Sequence, residues 1–211
     1  MAILEKVTAF ITRPGIHGTE LLLFRHPFAG NQIPAGTVEE NETAEQAALR
    51  ETVEETGLAD IRMVARIGAQ EKALPPNRRI IMKGTKIYAR PDPASFDWAF
   101  LRRGLPVNLD RKAGDFAQVS YIEEDRFPDP QYITYQITGW VPSDCLADRV
   151  SRTFYHLALT GTAPERWEQA SDQHVFTLFW APLSALPEIV QPQNEWVDFA
   201  RDQCGYDLSA L

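Results

Sequence analysis

Seven glutamates fall between Glu39 and Glu55, at positions 39, 40, 42, 45, 51, 54 and 55, and Arg50 is the one basic residue among them. A helix that is merely solvated usually intersperses lysines to gain i,i+4 pairs. Here Glu51 and Glu55 stand at i,i+4, and Glu51 and Glu54 at i,i+3. Three carboxylates therefore crowd one side of a helix near its C-terminus, where the macrodipole is already negative. Each like-charge pair costs roughly 0.2–0.5 kcal/mol, a cost that a cation would offset. Hard oxygen donors of this kind suit Mg²⁺, or Mn²⁺, rather than Zn²⁺. Such an ion can polarise a phosphoryl group and activate a water. Charge pattern alone is equally compatible with a solvated acidic helix that holds nothing.

The spacing predicts a helix from Thr43 to Thr56. Thr43 is placed to cap it, with Gln46 as the reciprocal partner of a capping box. Gly57 follows the last turn, where a left-handed residue is wanted. On a helical wheel Ala44, Ala47 and Ala48 share the sector of Glu51 and Glu55, which leaves room for a loop or ligand to come close. Leu49 and Val53 lie opposite and are expected to bury against a sheet. Arg50 precedes Glu54 by one turn, so it can orient that carboxylate and partly neutralise it.

The stretch reads Gly36, five residues, Glu42, seven residues, then Arg50-Glu51-Thr52-Val53-Glu54-Glu55-Thr56-Gly57-Leu58. It resembles the Nudix box, G-x5-E-x7-R-E-U-x-E-E-x-G-U with U a bulky apolar residue, over Gly36 to Leu58. All the fixed residues are present. The departure is Thr52 at the first U position, whose partial polarity is expected to loosen packing without touching a ligand. The resemblance implies an α+β fold, an α/β/α sandwich around a mixed β-sheet, with the box as a loop–helix–loop. It implies Mg²⁺-dependent hydrolysis of a phosphoanhydride bond in a nucleoside diphosphate linked to another moiety. It assigns Glu51, Glu54 and Glu55 as metal ligands, with the Gly36 carbonyl near the metal. Glu51 or Glu54 would help a water, and Glu42 and Arg50 would be structural and orienting. The segment from Leu183 to Phe199, with Trp180 before it, also looks like a family ending. An alternative within the same fold is a nucleotide-binding or regulatory module that does not cut. An isopentenyl diphosphate isomerase is disfavoured because the two cysteines stand in unsuitable contexts.

Some members of that family take a general base from a loop ahead of the last strand, where this chain has Glu168, Asp172 and His174. Each also reads as an ordinary solvated loop residue. His26 reads as a turn residue and His156 as a satisfied core histidine. Arg78, Arg79, Lys83 and Lys86 form a basic cluster suited to substrate phosphates, or to blunting a sheet edge. Trp98, Tyr132 and Trp140 suit stacking on a base or, more often, core packing. The entry Ile33-Pro34-Ala35-Gly36 and the proline Pro75 resemble the ADP-ribose and nucleotide-sugar subgroup. The leaving group itself is left open.

Positioning these residues falls to a single domain over residues 1–211, with a β-rich insertion at about residues 70–149. Strands are predicted at Lys6 to Thr12, Glu20 to Arg25, Ile61 to Ile67, Ile80 to Tyr88, Ala117 to Ile122, Tyr132 to Trp140, Thr153 to Leu159 and Val175 to Trp180. A last helix from Gln193 to Cys204 would put Trp196, Phe199 and Ala200 on one face. The insertion is expected to line the pocket or to build an oligomer interface such as a homodimer's. A chain of 211 residues with 44% hydrophobic and 24% charged residues can bury a real core. Its net charge of −8 argues against a surface that coats DNA or RNA. It does not exclude a small nucleotide substrate, because a divalent cation can carry the phosphate contact. Cys145 and Cys204 form no CxxC pair, which suits a reducing cytoplasm. Neither a signal peptide nor an apolar membrane span is apparent.

Overall fold

The computed structural model describes residues 2–126, 129–171 and 174–209. Among the described residues, fifteen strands, two α-helices and short 3₁₀ and π-helical turns make a mostly-β molecule, with one mixed and one antiparallel sheet. The first strands are β1 (Ile3–Gly15), β2 (Gly18–His26), β3 (Gly30–Gln32) and β4 (Ala35–Thr37), followed by helix α1 (Ala44–Thr56) and β5 (Ile61–Ala73). Seven strands follow: β6 (Arg78–Ile81), β7 (Thr85–Tyr88), β8 (Asp97–Leu101), β9 (Pro106–Ala113), β10 (Phe116–Glu124), β11 (Ile133–Pro142) and β12 (Leu146–Ala147). The chain closes with β13 (Arg149–Leu159), β14 (Arg166–Ser171), β15 (His174–Pro182) and α2 (Asn194–Asp198), which runs into a π-helical turn at Phe199–Gln203.

The chain divides into two compact units, one of Met1–Glu5 with Glu71–Ser151 and the other of Lys6–Gln70 with Arg152–Leu211. The second unit holds the sheet ordered β14-β15-β2-β1-β13-β5, with β3 paired to β2 and β4 to β1. Alternation along β1 and β2 sends side chains to two opposite cores. Val7, Ala9, Ile11, Leu22 and Phe24 pack with Ala47 and Ala48 of α1. Phe10, Leu21 and Leu23 pack with Trp196, Val197, Phe199 and Ala200 near the C-terminus. The expected face of Trp196, Phe199 and Ala200 is therefore buried as one, although regular α-helix ends at Asp198 rather than Cys204.

The other unit carries the sheet ordered β12-β6-β9-β10-β11-β7-β8. Its main core is a layer of Ile81, Ile87, Val107, Val119, Ile137 and their neighbours, and Ile80 and Ala147 pack with Leu4 in a smaller cluster. The predicted strand Ile80 to Tyr88 is two strands, because the chain bends at residues 82–84. Neither β6 nor β7 is an edge, so the basic cluster does not blunt one. Lys86 instead pairs with Asp97 at 3.1 Å, and Arg79 donates to the Pro76 and Arg78 carbonyls. Trp140 is core, under the Arg111 guanidinium, whereas Trp98 and Tyr132 are exposed. Two buried polar atoms in this unit have no partner, Ser143 Oγ and Asp148 Oδ1. Leaving such an atom unmatched costs about 1–3 kcal/mol.

Both cysteines are free, Cys145 buried and Cys204 exposed. Among the described residues no helix is long and apolar enough to cross a membrane.

Candidate active site

The helix that carries the glutamates is locked at both ends. Thr43 Oγ1 accepts from the Gln46 amide at 3.2 Å, and Gln46 Oε1 accepts from the Thr43 amide at 2.8 Å, completing the capping box. At the other end Gly57 sits at φ 72° and its N–H returns to the Val53 carbonyl. That conformation costs a residue with Cβ, and glycine adopts it freely. Trp167 Nε1 then donates to the Thr56 carbonyl at 2.8 Å and Gln169 Nε2 to the Glu54 carbonyl at 3.2 Å.

The buried side of α1 differs from the wheel assignment. Ala47, Ala48, Thr52, Glu55 and Thr56 are buried, whereas Val53 is 45% exposed and Leu49 only partly buried. The small residues Ala47 and Ala48 pack against the sheet. Thr52 does not loosen this contact: its hydroxyl donates to the Ala48 carbonyl at 2.8 Å, so no polar atom is stranded.

Arg50 gathers the carboxylates. Its Nη2 bonds Glu42 at 2.6 Å and the Thr37 carbonyl at 3.1 Å, and its Nε bonds Glu42 at 3.1 Å. Its Nη1 lies 3.0 Å from Glu51 and 2.9 Å from Glu54. The Arg50 hydrogen bond holds the Glu42 carboxyl below its ordinary range. Burial pushes the Glu51 carboxyl up despite the nearby Arg50 charge. The predicted orientation of Glu54 by Arg50 and the structural part of Glu42 both correspond to these bonds.

Gly36 lies directly against the Glu51 carboxyl group, where a Cβ would collide with it. The loop that brings Gly36 there is fixed twice. Strand β4 pairs with β1 in the register Gly36↔Val7, and the Ala35 amide donates to Glu55 Oε2 at 2.9 Å. Glu55 is thereby 8% exposed and tied to the loop rather than splayed into solvent. The donor set is carboxylate alone, on a cradle that only glycine leaves open, which fits a hard divalent cation in chemistry. Among the described residues, however, no three His, Cys, Asp or Glu groups converge closely enough to hold a metal ion. Arg50 engages Glu51 and Glu54, so Glu51, Glu54 and Glu55 do not point at one centre. Binding an ion there requires the first two to turn away from the guanidinium.

Two cations escaped the sequence reading. Burial and the Arg152 charge lower Lys6 to about 8, against an opposing pull from Glu51. Arg152 is brought to about 10 by burial, countered by Glu55. It donates to the Val7 carbonyl and Thr8 Oγ1 and lies 4.1 Å over the Trp196 ring. Lys6 opens the predicted strand Lys6 to Thr12 and Arg152 immediately precedes the predicted strand Thr153 to Leu159, which was the signal available.

Of the bases considered outside the box, Asp172 falls outside the described residues. Glu168 is exposed, and strand alternation turns it away from Trp167 and Gln169, which touch the helix. His174 stacks edge-on against His26 at 4.7 Å, in a cluster with Phe28 and Phe176. His26 is thus part of an aromatic group as well as a strand end. His156 is fully buried, with Nε2 2.7 Å from Thr12 Oγ1 and Nδ1 2.9 Å from the Tyr206 hydroxyl, a satisfied core histidine.

A search of curated protein sequences returned no match. Among solved structures, the NUDIX domain of Shewanella oneidensis NrtR complexed with ADP ribose is similar at 16% identity and a TM-score of 0.42, covering 96% of this chain and 89% of that one. The C. elegans Ap4A hydrolase in a binary complex is similar at 12% identity and a TM-score of 0.40, covering 86% and 81%. The family model that describes the NUDIX domain matches residues 4–103, the stretch containing the glycine, the arginine and all seven glutamates of the helix and its approach. The chain carries a NUDIX domain.

Proposed function

We propose that this chain hydrolyses a phosphoanhydride bond in a nucleoside diphosphate linked to another moiety, with Mg²⁺ or Mn²⁺ as cofactor. ADP-ribose and nucleotide sugars are the first substrates to try, and the family's α/β/α sandwich is the frame in which we read the sheet and its two helical layers. The observation that carries the reading is the contact of Gly36, on strand β4, with the carboxyl group of Glu51, on helix α1. Glu51, Glu54, Glu55 and the Gly36 carbonyl would hold the ion. When bound, it would supply charge to polarise the phosphoryl group and acidify a water. Arg50 keeps Glu51 and Glu54 side by side, and Glu55 holds the loop that presents Gly36. Burial destabilises the bare Glu51 carboxylate, and a counter-charge restores it. The small-molecule substrate and the absence of any site for nucleic acid or membrane belong to the same proposal, as does a cytoplasmic location.

A second reading, a module that binds a nucleotide without cutting it, is favoured by Arg50 engaging both Glu51 and Glu54. A panel of nucleoside diphosphate conjugates, incubated with Mg²⁺ and followed by phosphate-containing products, separates the two. Cleavage of one class at a rate abolished by chelation supports the hydrolase. Saturable binding of one compound with no product from any of them supports the module and ends the hydrolase proposal.

A further inference from the structure

We infer that the unit of Met1–Glu5 and Glu71–Ser151 holds a second binding site, for a small zwitterion, in the cavity between β12, β6 and β9. It does not rest on the hydrolase reading. The cavity has a volume of about 220 Å³, below the roughly 300–1,000 Å³ of pockets for drug-sized ligands, so its occupant is small. Ser143, Asp148, Arg79, Lys112 and Asp144 line it, with Leu146 as an apolar wall. Ser143 Oγ and Asp148 Oδ1, the partnerless buried side-chain atoms among the described residues, both belong to this lining. Buried polar atoms in folded proteins nearly always have partners, and an orphan calls for a missing water, ion or ligand.

The backbone around these atoms is already satisfied. The Ser143 amide donates to the Asp115 carbonyl at 2.8 Å, the Asp148 amide to the Ala2 carbonyl at 3.1 Å, and the Leu74 amide to the Asp148 carbonyl at 2.9 Å. The side chains are thus held in place by bonds that do not use them. Asp144 receives only the Cys145 thiol, at 3.7 Å. Neither Arg79 nor Lys112 is ion-paired among the described residues.

Charge then narrows the class of ligand. A bare anion would face the Asp144 and Asp148 carboxylates, and a bare cation would face Arg79 and Lys112. A molecule with an ammonium at one end and a carboxylate or phosphate at the other meets both pairs. The ammonium donates to Asp148 Oδ1 and Ser143 Oγ, and the anionic end accepts from Arg79 and Lys112.

The test is a titration of the full chain with phosphoethanolamine, read by backbone amide NMR and calorimetry. Inorganic phosphate and ethylamine serve as single-ended controls. The expected result is saturable shifts at Ser143, Leu146 and Asp148, with each control binding about tenfold more weakly or not at all. Asp148→Asn and Arg79→Met should each weaken the zwitterion about tenfold, the scale of one charge-assisted hydrogen bond. Ser143→Ala, which removes only an orphan hydroxyl, is the variant safest for folding and should weaken it by a smaller factor. The proposal is overturned if the zwitterion causes no shift at these amides, if phosphate alone binds as tightly, or if Ser143→Ala and Asp148→Asn both bind unchanged. A crystal structure grown with the probe that shows only waters on Ser143 Oγ and Asp148 Oδ1 also overturns it.

Discussion

The sheet under the glutamate helix is buried on both faces, whereas the sheet of the 71–151 unit has its main core on one face and a small second cluster of Leu4, Ile80 and Ala147 on the other. In the first, neighbouring residues on a strand enter different cores: Phe10 packs with Trp196 and Phe199, and Ala9 and Ile11 with Ala47 and Ala48. In the second, the larger apolar layer lies on one face, and Phe96, Trp98 and Phe100 of and beside β8 stand exposed at 72%, 44% and 64%. The difference teaches where rigidity is spent. A strand clamped from both sides cannot shift register without inverting every side chain, so a loop paired to it, such as the one bearing Gly36, inherits a fixed position.

The largest effect should come from the doubly clamped strand. Phe10→Ala is expected to cost about 3–5 kcal/mol of unfolding free energy by urea denaturation, as for large truncations in a close-packed core. A cost near that of a surface change would mean the two cores are not as distinct as their burial suggests. Next, Glu51→Gln should lower turnover of the best nucleotide substrate by about a hundredfold or more, the scale of removing an electrostatic stabiliser, with no loss of the helical circular dichroism signal. Undiminished turnover would remove Glu51 from the site.

Buried His156 supplies a pH dependence confined to the clamped unit. Burial first, and then the Arg62 charge, lower it to about 4. The unfolded chain therefore binds more protons than the folded one between about pH 6.5 and pH 4. Stability is full above the upper value and falls as the pH drops through this window, by at most about 3 kcal/mol. His156→Gln should flatten that slope in urea midpoints measured across the range; an unchanged slope would assign it to other groups. Gly36→Ala should cut turnover by about 10–100-fold, as displaced ligand-supporting contacts do, while moving the unfolding midpoint little, because the colliding atoms are the tip of a flexible Glu51 side chain. A variant that unfolds instead would place the strain in the loop. The smallest effect belongs to the sheet of the 71–151 unit: Phe100→Ser should stay within about 0.5 kcal/mol of the parent. A larger loss would show that this face is covered.

What could be read from sequence was what local chemistry encodes. The capping box, the left-handed Gly57 and the pairing of Arg50 with Glu54 depend on residues within a turn or two of one another, and each took its predicted form. The buried side of α1 did not, because it is chosen by size as much as by hydrophobicity. Alanines and back-bonded threonines fill the buried side, while Leu49 packs only partly against the core and Val53 is exposed. Strands β3, β4, β8, β9, β12 and β14 were missed; in β14, Arg166-Trp167-Glu168-Gln169-Ala170-Ser171 alternates only between exposed and partly buried, and carries too few apolar residues to announce a strand. In the candidate site, the acid residues were picked out by their spacing, but the electrostatic coupling of Lys6 to Glu51 and of Arg152 to Glu55 depends on strand residues remote in sequence.

Because α1 buries Ala47, Ala48 and Thr52 against the sheet, small side chains set the spacing between the two. The heights of Glu51, Glu54 and Glu55 are then set by the strands rather than by flexible spacers. Enlarging any one of those three small residues would lift the acid row as a rigid plank, detuning every carboxylate at once while altering none of them chemically.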